Sequence, residues 1–135
     1  MSNAIYDKGK EAFLNADIDL LNDTIKAVLV RDTYTPLLGV DQFYTPSINT
    51  HVHDVAQTLV GKTTGLGIFD AGDALFPAVP GGATINYIVI YKSTGVATQD
   101  RLIACIDTSD GLPFTPNGGD ITVIWDNGAN KIFKL

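Results

Sequence analysis

The side chains from which metal or acid–base chemistry would have to be drawn are two histidines, one cysteine, and fourteen aspartates with a single glutamate, Glu11. His51-Val52-His53-Asp54 is the cluster closest to a metal site, because a His-x-His pair on an extended strand puts both imidazoles on one face. Zinc takes three or four ligands. The sequence supplies no further histidine and no second cysteine, and Asp54 would point to the opposite face of a strand, so the segment reads as a solvated or subunit-facing loop. Gly61-Lys62-Thr63-Thr64 matches the end of a phosphate-binding P-loop, but the glycine required five positions before Gly61 is Ala56, and Gly65 and Gly67 stand where a helix should follow. Asp70-Ala71-Gly72-Asp73 and Asp107-Thr108-Ser109-Asp110-Gly111 offer oxygen ligands of the kind Ca²⁺ uses. Neither has a loop of about twelve residues ending in glutamate, and both read as β-turns in which Asp and Gly satisfy the backbone locally. A glycosidase-like pair would have to be Asp–Asp, since Glu11 lies on the leading segment, and nothing selects one such pair. Ser47, Ser93 and Ser109 lack a Gly-x-Ser-x-Gly context. Cys105 sits in the apolar run Leu102 to Ile106 and reads as a buried, inert thiol. No catalytic, cofactor-binding or metal-binding residue is expected.

The chain that must position these groups has 135 residues, a size at which folding buries roughly two-thirds of the unfolded surface. Its formal charge is −6, and no basic stripe breaks the acidic balance, which argues against nucleic acid as a partner. The longest apolar stretches, such as Ile88-Val89-Ile90-Tyr91, have strand length and are far short of a membrane span. The opening residues lack the basic start and apolar core of a signal peptide, so the expected place of synthesis and action is the cytoplasm.

The expected fold is mainly β, an antiparallel sandwich or barrel-like single domain over 1–135 with one short N-terminal helix and long loops. Residues 1–15 form the helix or arm: Ser2 and Asn3 are suitable N-caps, and Tyr6 and Phe13 recur at helical spacing up to a stop near Asn15. Gly9 costs that helix stability relative to alanine. Residues 24–135 hold the sandwich. Thr24-Ile25-Lys26-Ala27-Val28-Leu29-Val30 reads as a strand, and 31–55 as an irregular excursion with one helical turn around 41–44. Further strands are expected over 56–64, 74–79, 84–92, 101–107, 121–126 and 130–135, separated by runs rich in turn formers. The last two are expected to form a hairpin about Asp126-Asn127-Gly128. A three-residue loop there, with glycine in the left-handed position, places Ile121, Val123 and Trp125 beside Ala129, Phe133 and Leu135 on the inner face.

Ala4-Ile5-Tyr6-Asp7-Lys8-Gly9-Lys10-Glu11-Ala12-Phe13-Leu14, followed by Ile18-Asp19 and Asp23-Thr24-Ile25-Lys26-Ala27-Val28-Leu29-Val30, resembles the start of a family of small tailed-bacteriophage virion proteins. Thr115-Pro116-Asn117-Gly118-Gly119-Asp120-Ile121-Thr122-Val123 and Trp125 to Leu135 are similar to that family's ending, with Gly61-Lys62-Thr63 and Leu102-Ile103-Ala104 in matching order between. The stretch from Arg31 to Val55 departs most. The resemblance implies a non-enzymatic virion part, first of all a capsid cement or decoration protein that binds the major capsid protein and copies of itself as a dimer or trimer. It implies no catalytic residues. The leading helix, the excursion and the long loops would make the lattice contacts, with Tyr6, Phe13, Tyr34, Phe43 and Tyr44 as desolvated anchors. A neck or tail ring component is the alternative. A displayed carbohydrate-binding module is a third, which would need exposed aromatic platforms, whereas Trp125 reads as core.

Overall fold

The computed structural model describes residues 4–107, 112–125 and 131–134. In chain order the elements are β1 (Ala4–Ile5), α1 (Asp7–Leu14), β2 (Ile25–Arg31), the single turn α2 (Tyr44–Ser47), β3 (Val52–Thr58), β4 (Thr63–Gly65) and β5 (Ile68–Asp70). They continue with β6 (Ala74–Phe76), β7 (Ile85–Lys92), β8 (Leu102–Ile106), β9 (Ile121–Val123) and β10 (Phe133–Lys134). The chain is mainly β, and its strands pair antiparallel in a five-stranded sheet of order β1-β8-β7-β2-β3 and two small sheets, β10-β5-β4 and β6-β9.

The central strands β2, β7 and β8 are apolar at nearly every position because both faces of the large sheet are covered. Ile25, Ala27 and Leu29 of β2 pack with Ile88 and Ile90 of β7 on one face, against Phe69, Phe76, Val123 and Phe133 of the small sheets. This is the sandwich-like interior. Val28 and Val30 alternate to the other face with Val89, Tyr91 and Cys105, where Tyr6, Tyr34 and Ile48 cover them. In β8 the alternation is broken where Tyr91 pairs with Leu102 but Ile90 pairs with Ala104. The extra residue, Ile103, is a bulge that sends Leu102 and Cys105 to one face and Ile103, Ala104 and Ile106 to the other.

Several expectations are corrected. The helix does not begin at Ala4: Ala4 and Ile5 pair with Cys105 and Ala104 as an edge strand, and the helix starts at Asp7 after Tyr6, without a side-chain cap. Tyr6 donates its amide to the Ile103 carbonyl at 3.0 Å, so strand pairing wins over capping in this stretch. Ser2 and Asn3 lie outside the described residues. The excursion ends at β3, three residues before Val55, and its helical turn falls at 44–47. The expected strand over 56–64 is divided between two sheets at Gly61, whose φ is +64°, and the β4–β5 hairpin was not foreseen. Among the described residues the expected final hairpin pairing is not made: β9 pairs with β6, and β10 with β5. Ile132 and Phe133 are adjacent and both buried, which a strand with one face to water does not allow. The proposed turn at 126–128, and Ala129 and Leu135, fall outside the described residues.

α1 lies against β8 beyond the two residues of β1, and Gly9 is its point of contact. A Cβ there would stand 2.8 Å from the Leu102 carbonyl oxygen and 3.1 Å from that of Ile103, both backbone atoms with no freedom to retreat. Gly9→Ala gains about 1 kcal/mol of helix propensity but incurs about 1–3 kcal/mol of overpacking. A net loss is expected, measured as a lower urea midpoint with unchanged slope; a more stable variant would show that the helix can lift off the sheet.

Candidate functional site

The two histidines part company. His51 precedes β3 and its Nδ1 lies 2.8 Å from Thr33 Oγ1, with its ring tilted against that of Tyr34, centroids 5.7 Å apart. His53 sits in β3 with Nε2 2.7 Å from the Pro80 carbonyl. Asp54 between β3's pairs has φ +67°, within a bulge where Ala27 pairs with Gln57 but Leu29 pairs with His53. Each imidazole thus ties one loop to the strand. Among the described residues no group of three His, Cys, Asp or Glu side chains is placed to hold a metal. Lys62, in the segment that mimics a P-loop, donates its Nζ to the Asp23 carbonyl at 2.6 Å and is followed by β4. Gly72, in the first acidic loop, accepts a hydrogen bond on its carbonyl from Trp125 Nε1 at 3.0 Å. In the second acidic segment, residues 108–111 are outside the described residues.

The five aromatic positions do not form one surface. Tyr6 and Tyr34 are 0% and 4% exposed and belong to the interior, which corrects their assignment as docking anchors. Phe13 is partly buried on the opposite face of the sheet, 6.4 Å from the Phe133 ring. Phe43 lies under the Arg101 guanidinium at 5.3 Å, and the Tyr44 ring meets that of Tyr91 at a tilt, centroids 5.0 Å apart. The excursion carrying Tyr34, Phe43 and Tyr44 is the cover of the sheet's second face, because Val28, Val30 and Val89 would otherwise meet water.

Tyr6 and Tyr34 instead anchor a buried polar chain. Their hydroxyls are 2.9 Å apart, and Tyr34 donates to Asp41 Oδ2, which also accepts the Leu37 amide at 3.0 Å. Burial is the first cause that raises both phenols above their ordinary range; for Tyr34 the hydrogen bond to Asp41 comes next, and for Tyr6 the neighbouring Cys105. Burial also pushes the Cys105 thiol up to about 12, so the thiolate is absent at neutral pH and the group is unreactive. The chain fastens the excursion to β1 and the sheet. Tyr34→Phe leaves the buried Asp41 carboxylate without its hydroxyl donor, and is expected to cost about 1–3 kcal/mol. Tyr6→Phe removes one end of the chain and should cost less. Urea unfolding of the two single variants and the double variant measures this; a coupling near zero would mean that the two hydroxyls act independently.

An open groove of about 850 Å³ lies between α1 and β10. Ile5, Ala104 and Ile106 of the large sheet line it, together with Phe13 and Leu14 from the helix and Ile132 and Phe133 from the C-terminal segment. Leu14 is 86% exposed. Lys10, Lys131, Lys134 and Asp7 supply its charged rim. The sequence pointed to Phe13 alone in this groove. The other wall was hidden by the expected hairpin, which assigned β10 the wrong neighbour.

No family model, curated protein or solved structure matches the chain.

Proposed function

We infer that the chain is a structural protein of a tailed-phage particle, acting as a capsid cement or decoration protein that binds the major capsid lattice. One observation carries this reading: the resemblance to small tailed-phage virion proteins runs through nearly the whole chain, from the Ala4–Leu14 stretch to the Trp125–Leu135 ending, and includes no catalytic fingerprint. A likeness spread over strands and loops, with no group set aside for chemistry, fits a protein that works by contact. Three of the polar groups considered for chemistry support it, since His51, His53 and Lys62 are each engaged in holding a loop. Binding to the lattice takes place in this reading through the exposed loops, with Tyr6 and Tyr34 serving internally. The partly buried Phe13, Phe43 and Tyr44 remain available at the surface.

Quantitative mass spectrometry of purified particles tests the assignment. A cement protein is present in copy numbers on the order of hundreds, set by the lattice, whereas a neck or tail ring has about six or twelve. The lower number would replace this reading with the ring component, and absence from the particle would remove both.

A further inference from the structure

β4 and β5 are joined by two residues, Leu66 and Gly67, beyond the Gly65–Ile68 pair. Both have left-handed backbones, with φ +53° and +77°. Two-residue hairpin turns of this kind favour Asn-Gly or Asp-Gly, because a short polar side chain tolerates the left-handed region and a bulky one is strained there. Leu66 takes that strain without being buried: it is 91% exposed, more than any other large apolar side chain among the described residues. β4 behind it is exposed at all three positions, so the tip stands clear of the domain. A strained leucine surrounded by water stabilises nothing within its own molecule, and points to a contact made outside it.

The same molecule carries a matching hollow. The groove between α1 and β10 is lined by Ile5, Phe13, Ile106 and Phe133, with Leu14 exposed beside them. Its β10 wall belongs to the same small sheet as the tip: Lys134 pairs with Ile68, and Ile68 with Gly65, which sets the tip two strands, about 10 Å, from the wall. A convex and a concave apolar feature placed side by side complement themselves across a two-fold axis, since each copy then offers its tip to the other's groove. Gly65-Leu66-Gly67-Ile68 brings no charged side chain to be desolvated there. We propose that the groove receives the β4–β5 tip of a second copy of this chain, with Leu66 of each protomer seated against Phe13 and Leu14 of the other. Each groove is then filled by a residue it lacks alone, and the pair closes with neither joint left open. This pairing goes beyond the virion assignment and stands without it.

Sedimentation velocity of the full chain over a concentration series is expected to show a monomer–dimer equilibrium with Kd of about 10–100 µM, as suits a small interface. Leu66→Asn introduces a residue suited to the turn. It should weaken the dimer at least about tenfold while leaving the thermal midpoint of the monomer, read at about 1 µM where pairing adds nothing, equal to the wild type or higher. Leu14→Asp, at a side chain too exposed to disturb the core, should weaken the dimer to a similar degree. Val55→Asp, on β3 at the far edge of the large sheet, should leave it unchanged. Leu66→Cys and Leu14→Cys, mixed and oxidised, should give chiefly the disulfide between the two variants, since Cys105 is buried and does not compete. A monomer at about 1 mM, a dimer indifferent to Leu66→Asn or Leu14→Asp, open-ended chains, or a prevailing disulfide between two copies of one variant would each overturn the proposal. A lowered thermal midpoint in Leu66→Asn would overturn it too, because the leucine would then be packed within its own molecule. So would pairing that emerges only when residues 1–3 are deleted, which would give the groove to the chain's own N-terminus.

Discussion

Replacing Trp125 by alanine is expected to cost about 3–5 kcal/mol, a large part of the stability of a domain this size. The indole is 6% exposed and packs in the interior between the large sheet and the small ones. Its Nε1 also donates to the Gly72 carbonyl, so truncation opens a cavity and removes a bond that ties the loop before β6 to the segment after β9. Trp125→Phe keeps most of the volume but leaves that carbonyl without its donor, and should recover about half of the loss. Chemical denaturation of the three proteins checks the order. If Trp125→Ala unfolded at the wild-type midpoint, the side chain would be at the surface, and an aromatic platform for sugar binding would return as a reading of this protein.

Alkali is expected to unfold the protein through groups that are kept protonated by the fold. Burial raises Tyr6, Tyr34 and Tyr91 above the ordinary tyrosine value of 10.0, and Cys105 from 9.0 to about 12. A group with a raised folded pKa contributes fully below its unfolded pKa, and that contribution is lost as pH rises towards the folded value, because the unfolded chain releases its proton first. Stability should therefore be level up to about pH 8.5 and fall above it by about 1.4 kcal/mol per pH unit for each such group. Cys105 starts the decline and Tyr6 steepens it above about pH 10, for about 6 kcal/mol from the two by pH 11.5. Tyr34 and Tyr91 act in the same direction. Phenolate absorbance and far-ultraviolet circular dichroism should change together. Ionisation of all the tyrosines near pH 10 with the dichroism intact would show that the phenols are not enclosed.

The central sheet was legible because its strands are apolar without interruption: Ala27-Val28-Leu29-Val30, Ile88-Val89-Ile90-Tyr91 and Leu102 to Ile106. The same signal held more than was read from it. A strand apolar on both sides needs two covers, and the segment between Arg31 and Val52 was the stretch with aromatics to spare. Reading the leading helix and that excursion as the lattice-contacting parts put Tyr6 and Tyr34 at the surface, where the structure buries both. Gly9 was read as a weakness of the helix, whereas its reason lies in the Leu102 and Ile103 carbonyls, a contact across more than ninety residues that no local pattern encodes. The terminal pairing failed on a similar point: turn chemistry at Asp126-Asn127-Gly128 favoured a local partner, and burial of both Ile132 and Phe133 favoured two distant ones. The inward set of β9 was nevertheless read correctly, with Val123 and Trp125 buried, Ile121 partly so, and Thr122 and Ile124 exposed. For the groove, sequence offered only Phe13, since the lysines on its rim are separated by more than a hundred residues.

The left-handed Asp54 and the mismatch around it distort β3, the far border of the large sheet. A kinked border with a carboxylate on it is a poor template for another ribbon of backbone. Copies that met at this border would find no straight ladder to extend. Crowding at high concentration therefore does not zip them into fibres through β3.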